Sequence, residues 1–360
     1  MIYLDYQATT PLAPEARDEM LRWLDGPGGS GFGNPHSPHR MGRQAAAAIE
    51  VARDRVAALF PAGGKVIFTS GATEAINLAM RGTAQQAGTI SVSAIEHAAV
   101  LDTARSLGNC HELNVAKNGQ CNTKQDLPAD TRLVAVMQVN NEIGTIQPTV
   151  DWHRKAKQAN ALYLCDAVQA YGKMEVTGAD MIAVSAHKLH GPKGVGALWI
   201  RSGLDIEEVQ TGGGQEEGLR SGTLSPALCA GFGIAAKEAK ERMERDAEHI
   251  EKLWTKARDI LDNWSVNGSE SARWHGNLNL RKNGLDVARL MSDCRDVMFS
   301  AGSACASGSG RTSHVLKAIG LSDKAAKSSI RIGFGRYTTM DEIEKGCGKI
   351  AEAAKAQGLG

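Results

Sequence analysis

No run among the 360 residues approaches the roughly 18 apolar residues that a membrane-spanning helix needs. The first residues, MIYLDYQATTP, carry neither a basic stretch nor an apolar core, so no export signal is expected. Neither sign of charge is in excess. With 41 Lys and Arg against 40 Asp and Glu, the formal charge is +1. That gives no electrostatic reason to expect nucleic acid or an anionic membrane as a partner. The seven cysteines, at 110, 121, 165, 229, 294, 305 and 347, are odd in number, scattered and free of any C-x-x-C pair. This argues against a disulfide framework or structural zinc and for a reducing compartment, with the cytoplasm expected. Internal repeats, coiled-coil heptads and low-complexity tracts are also missing. What remains is 42% apolar and 22% charged, an ordinary soluble composition. The length favours two domains, or a large one with a satellite.

From about residue 45 the chain alternates helical periodicity with short apolar runs. RQAAAAIEVARDRVAALF reads as a helix with Ile49, Ala52, Val56 and Leu59 on one face. KVIFT, TISVS, RLVAVMQV, LYLCDA, MIAVSA and GALWI read as strands of a mostly parallel sheet buried on both faces, with ATEAINLAMRGTAQQ as a helix between the first two. Near residue 240 the texture changes. MERDAEHIEKLWTKARDILDNW places Ala247, Ile250, Leu253, Trp254, Ala257, Ile260 and Leu261 on a helical stripe long enough to bridge two domains. LNLRKNG, VMFSAGSAC and SSIRIGFGRYT then read as strands of a smaller α+β unit.

In an open parallel sheet, ligands collect at the carboxyl ends of the strands. KVIFT is followed by Ser70-Gly71-Ala72-Thr73 and a helix, an arrangement suited to phosphate or simply to a capped helix. LYLCD ends on Asp166, either the partner of a cation or an N-cap. MIAVSAHK ends on Ser185, His187 and Lys188. Together these segments offer an anion cradle, a carboxylate and an amine. Pyridoxal 5′-phosphate asks for those three: donors for its phosphate, an acid for its ring nitrogen and a lysine for a Schiff base. His97 follows TISVS and could stack on the ring or move protons; a core or capping role stays open. Cys305 lies in FSAGSACASGSGRTSH, a run with little to pack. Such a run is expected to behave as a tether, able to carry a reactive thiol to an outside acceptor. Two weaker patterns are set aside. Gly231-x-Gly233-x-x-Ala236 lacks the preceding strand of a dinucleotide site, and His187-x-x-His190 lacks a third metal ligand, so no metal is expected.

Taken in order, YLDYQATTPLAP, FGNPHSPHRMGRQA, IFTSGATEAINLA, EHAAVLDT, VNNEIGTIQP, CDAVQAYGK, SAHKLHGPKGVGALW, GGGQEEGLRSGT, SAGSACASG and SSIRIGFGRYTT resemble the cysteine desulfurases of the NifS/IscS type, in the class V aminotransferase branch of pyridoxal-phosphate enzymes. The resemblance implies fold type I: a large α/β domain with a mostly parallel mixed sheet over residues 13–245, and a small α+β domain from 1–12 and 246–360. It implies that Lys188 holds the cofactor, Asp166 pairs with the ring nitrogen, His97 stacks on the ring and Gln169 meets the ring oxygen. Ala72, Thr73, Ser185 and His187 would surround the phosphate, joined by Thr223 from the second subunit of a homodimer. Asn141 and Arg331 would clamp the substrate carboxylate. Cys305 would take the sulfur of L-cysteine as a persulfide, leaving L-alanine, and pass it to an acceptor protein for iron–sulfur cluster or other sulfur biosynthesis.

Some positions depart from the family pattern. His190 stands where a tyrosine is frequent, and Val168 and Ala170 offer no hydroxyls. The run around Cys305 is of the long type, and the chain ends sooner than relatives whose tail docks a scaffold. The rival readings are a selenocysteine lyase or another class V aminotransferase, the latter needing no mobile thiol.

Overall fold

A computed structural model describes residues 1–85, 87–176, 178–302 and 312–359. In chain order its strands are β1 (Ile2–Tyr3), β2 (Gly64–Thr69), β3 (Thr89–Ser93), β4 (Cys110–Leu113), β5 (Thr131–Ala135), β6 (Leu162–Asp166), β7 (Met181–Ser185), β8 (Gly196–Arg201), β9 (Ser265–Val266), β10 (Asn277–Arg281), β11 (Val297–Met298), β12 (Ser300–Ala301) and β13 (Ser329–Gly333). The helices are α1 (Pro14–Leu21), α2 (Arg40–Ala57), α3 (Ala72–Gly82), α4 (Ala98–Ser106), α5 (Thr149–Gln158), α6 (Pro226–Ile260), α7 (Val287–Asp293), α8 (His314–Ala318), α9 (Asp323–Lys327) and α10 (Met340–Lys355).

Seven strands form one sheet in the order β2-β8-β7-β6-β5-β3-β4, with β8 antiparallel to both of its neighbours and the β7-to-β4 pairs parallel. Alternation of side chains sends Val66 and Phe68 into one core and Ile67 into another, so both faces are covered. Trp152, Tyr163, Tyr171 and Phe232 fill the first core, and Ile76, Met80 and Leu133 the second. The alanine-rich second helix buries Ala45, Ile49, Ala52 and Val56. A second sheet, β12-β13-β10-β9, is antiparallel, and β1 pairs with β11 in parallel.

Three boundaries differ from the sequence reading. RLVAVMQV leaves the ladder at Ala135, although the amide of Gln138 still donates to the Asp166 carbonyl at 3.0 Å. β4 carries only one buried apolar residue, Leu113, so no apolar run marks it. α6 begins at Pro226, well before the change of texture near residue 240; Ser225 caps it by accepting from the Leu228 amide and Pro226 opens its first turn. At 1.5 Å per residue it spans about 50 Å. Among the described residues, no helix is long and apolar enough to cross a membrane.

Candidate functional site

The strand ends of the large sheet open on one cavity of about 580 Å³. At the end of β2 the chain turns through Ser70-Gly71 into α3. A Cβ on Gly196 of β8 would lie 2.7 Å from the Gly71 Cα and 2.5 Å from the Val184 carbonyl oxygen. The turn can therefore rest on β8 only because that position is glycine. No side chain caps α3. Glu74, in its first turn, instead accepts from the Ser70 amide at 2.7 Å and pairs with Arg220 at 2.6 Å. Burial opposes ionisation of Glu74, but Arg220 and Ser70 together hold it below the usual carboxylate range. The end of α3 thus faces the cavity beside Ala72 and Thr73 with amide donors and the positive end of its dipole.

At the next strand ends, His97 caps α4, its Nδ1 accepting from the Ala99 amide at 3.1 Å. That contact leaves the proton of the neutral ring on Nε2. Burial, opposed by Asp166, lowers the pKa of His97. Asp166 is 6% exposed at the end of β6, and its Oδ1 accepts from the Val168 amide at 3.0 Å. Burial pushes this carboxyl up, while His97 and Lys188 pull it the other way. β7 ends at Ser185, and the following turn carries His187 and Lys188 to the same cavity. Lys188 Nζ donates to the carbonyls of Gln7 at 2.6 Å and Ala8 at 2.8 Å.

The opposite wall comes from the small sheet. Arg331 on β13 is 1% exposed. Its Nη1 donates to the Asn141 carbonyl at 3.1 Å, and its Nη2 to Asp5 at 2.8 Å. Its Nε has no hydrogen-bond partner among the described residues. A guanidinium at the cavity wall suits a carboxylate.

Lys188, Asp166, His97, Gln169, Ala72, Thr73, Ser185, His187, Asn141 and Arg331 all border this cavity. Thr223 is exposed and stands apart from it. Cys305 lies outside the described residues. His187 and His190 go to separate partners: Nδ1 of His187 meets the Thr9 hydroxyl at 3.1 Å, and Nδ1 of His190 meets the Pro11 carbonyl at 2.9 Å. His190 packs edge-on against Tyr6 and Tyr337, an aromatic role compatible with the tyrosine frequent there in the resembled family. Sequence reasoning missed the carbonyls of Gln7 and Ala8, because a backbone acceptor leaves no mark in a residue's identity. It also missed Lys173, whose Nζ donates to Gln169 Oε1 at 3.0 Å.

Residues 2–345 match the family model described as aminotransferase class-V, whose members depend on pyridoxal 5′-phosphate. Similar proteins include "Cysteine desulfurase IscS" of Shewanella piezotolerans, 41% identical over 98% of this chain and 92% of that protein. Another is "Cysteine desulfurase, mitosomal" of Trachipleistophora hominis, 40% identical over 98% of this chain and 86% of that one. The solved structure of a NifS-like protein superposes with a TM-score of 0.90 at 33% identity, covering 99% of each chain. This chain belongs to the class V aminotransferase family, in its cysteine desulfurase branch. The residues present fit the family's cofactor: an uncapped helix end for a phosphate, a buried carboxylate for a ring cation, and a lysine amine within one cavity.

Proposed function

We infer that the protein removes sulfur from L-cysteine using Lys188 as its cofactor lysine and proton carrier, with Cys305 as the sulfur acceptor. The observation that carries this reading is the convergence of Lys188, Asp166 and the uncapped α3 end on one cavity that Arg331 also borders. Lys188 would hold the cofactor, Asp166 the ring nitrogen, and Thr73, Ser185 and His187 the phosphate. Bound there, pyridoxal phosphate supplies a sink for the electron pair left at Cα. Arg331 and Asn141 hold the substrate carboxylate, which aims the Cα–H bond at the Lys188 amine. That amine takes the proton, and His97 Nε2–H lies on the same cavity to donate or to stack.

In the net change, the carbon–sulfur bond of cysteine breaks and a sulfur–sulfur bond to Cys305 forms. The thiol proton of Cys305 is accounted for at the carbon, so L-alanine and a persulfide are the products. The persulfide sulfur then passes to an acceptor protein in iron–sulfur cluster or other sulfur biosynthesis. The exposed position of Thr223 supports its service to a second copy in a homodimer. The pairing of β1 with β11 supports counting residues 1–12 with 246–360 as the small domain, and 13–245 as the large one. The scattered thiols support a cytoplasmic setting.

Incubation of the holoenzyme with L-cysteine tests the proposal. Alanine is expected in solution, and one extra, reducible sulfur is expected on the Cys305 peptide by mass spectrometry. Alanine release that continues unchanged in Cys305→Ser would overturn the role of that thiol and point to another class V reaction.

A further inference from the structure

Behind Lys188 lies a second, small chamber of about 40 Å³, bordered by both Lys188 and Lys173. Lys173 follows Gly172, whose φ of +74° belongs to the left-handed region. A Cβ there would come within 2.9 Å of Leu189 and 3.0 Å of Ala239, so the glycine lets this turn settle against both neighbours. The result is a second, half-buried amine next to the cofactor lysine. Among the described residues, no carboxylate pairs with it. Its hydrogen bond goes to a neutral amide, Oε1 of Gln169.

We propose that Lys173 is a positioning residue that locks the side-chain amide of Gln169 with its NH2 group toward the cofactor cavity. This rests on the reading above, in which Lys188 holds the cofactor and Gln169 meets its ring oxygen. Gln169 is 3% exposed and borders the cavity. Its Nε2 donates to the Gln7 carbonyl at 3.1 Å, the same oxygen that accepts from Lys188 Nζ at 2.6 Å. An amide nitrogen has two protons. One is on Gln7, and the other remains for an acceptor in the cavity. The reversed amide would set NH2 against the Lys173 ammonium and a carbonyl oxygen against the Gln7 oxygen. Both contacts are repulsive while Lys173 keeps its proton, so below about pH 7 the ammonium excludes the orientation that would turn a lone pair toward the ring oxygen.

The setting explains why a cation does this without an ion pair. Arg336 and Asp246, which also border the chamber, are paired with each other at 2.7 Å. Burial pushes His187 down to about 4 and His190 down to about 3, so both rings are neutral near pH 7. Burial first, and Lys188 second, push Lys173 itself down to about 7.

The test is the pH midpoint of the visible band of the cofactor bound to holoenzyme. Losing the donor to the ring's oxyanion strengthens that oxygen's hold on the neighbouring proton, so the midpoint rises. Lys173→Met is expected to raise it by about one pH unit, and Lys173→Arg to leave it near wild type. Gln169→Ala should raise it as well. In that background Lys173→Met should add less than about 0.3 unit, because it acts through the amide. An unmoved midpoint in Lys173→Met, or an equal shift in both backgrounds, overturns the proposal. If Lys173→Met does not fold, Lys173→Gln, whose shorter arm leaves Oε1 without its donor, is read in the same way. Lys188→Ala separates the two levels of failure. A band that survives it sinks the cofactor assignment; a band that needs Lys188 but ignores Lys173 sinks only this inference.

Discussion

The two walls of the cavity are built differently. On the sheet side, Thr73, His97, Asp166 and Lys188 each sit within a few residues of a strand end, and each is aimed by the strand that precedes it. On the other side, Arg331 is held by Asp5, 326 residues away, and by the carbonyl of Asn141, 190 residues away. The first wall is a set of local motifs that a parallel sheet brings together because its strands end at one edge. The second exists only after the N-terminal segment and β13 have met. A local wall tolerates the loss of one member more readily than a wall made by one buried ion pair.

The largest effect tests the sheet wall. Lys188→Ala should lower cysteine turnover by about 10²- to 10⁴-fold, the usual worth of a positioned acid–base group, with the fold intact by circular dichroism. Turnover within a factor of ten of wild type would contradict it. Next, Asp5→Ala leaves the 1%-exposed Arg331 without its carboxylate and should cost about 3 kcal/mol in urea unfolding. Glu74→Ala, whose partner Arg220 is more accessible, should cost only about 1 kcal/mol. Equal losses would erase the contrast between the walls. Arg331→Lys keeps the charge but loses the fork, and should raise KM for L-cysteine about tenfold, or 1.4 kcal/mol.

A further effect is in pH. His190 is pushed by burial from 6.5 to about 3, so the unfolded chain binds a proton there that the folded chain refuses. Its contribution is present above about pH 6.5 and is lost as pH falls toward 3, with His187 acting alike down to about 4. His190→Tyr should flatten the fall of melting temperature between pH 7 and 4. Superimposable curves would remove His190 from the account.

Much of the sheet wall was legible because its residues lie directly after apolar runs, where strand ends must be. Asp166 and Lys188 stood out as polar groups terminating otherwise buried segments. The small wall was legible only through resemblance, since nothing in SSIRIGFG by itself assigns Arg331 a carboxylate. Lys173 escaped notice for another reason: it follows Tyr171 and Gly172 in a turn, and its meaning depends on which oxygen of Gln169 it meets. β4 escaped because an edge strand needs few apolar residues, and the early start of α6 because the Ser225-Pro226 cap lies well ahead of the apolar stripe that begins at Ala247.

By itself, the sequence determined the alternation of strands and helices, the double burial of the sheet and the residues at its carboxyl edge, since periodicity and strand ends are local properties. Tertiary structure alone decided that Gln7 and Ala8 turn their carbonyls to Lys188, that Asp5 meets Arg331, and that Lys173 orients Gln169. Those contacts join backbone oxygens and distant segments, and hydrogen-bond partners of that kind are chosen by packing after the chain has closed on itself.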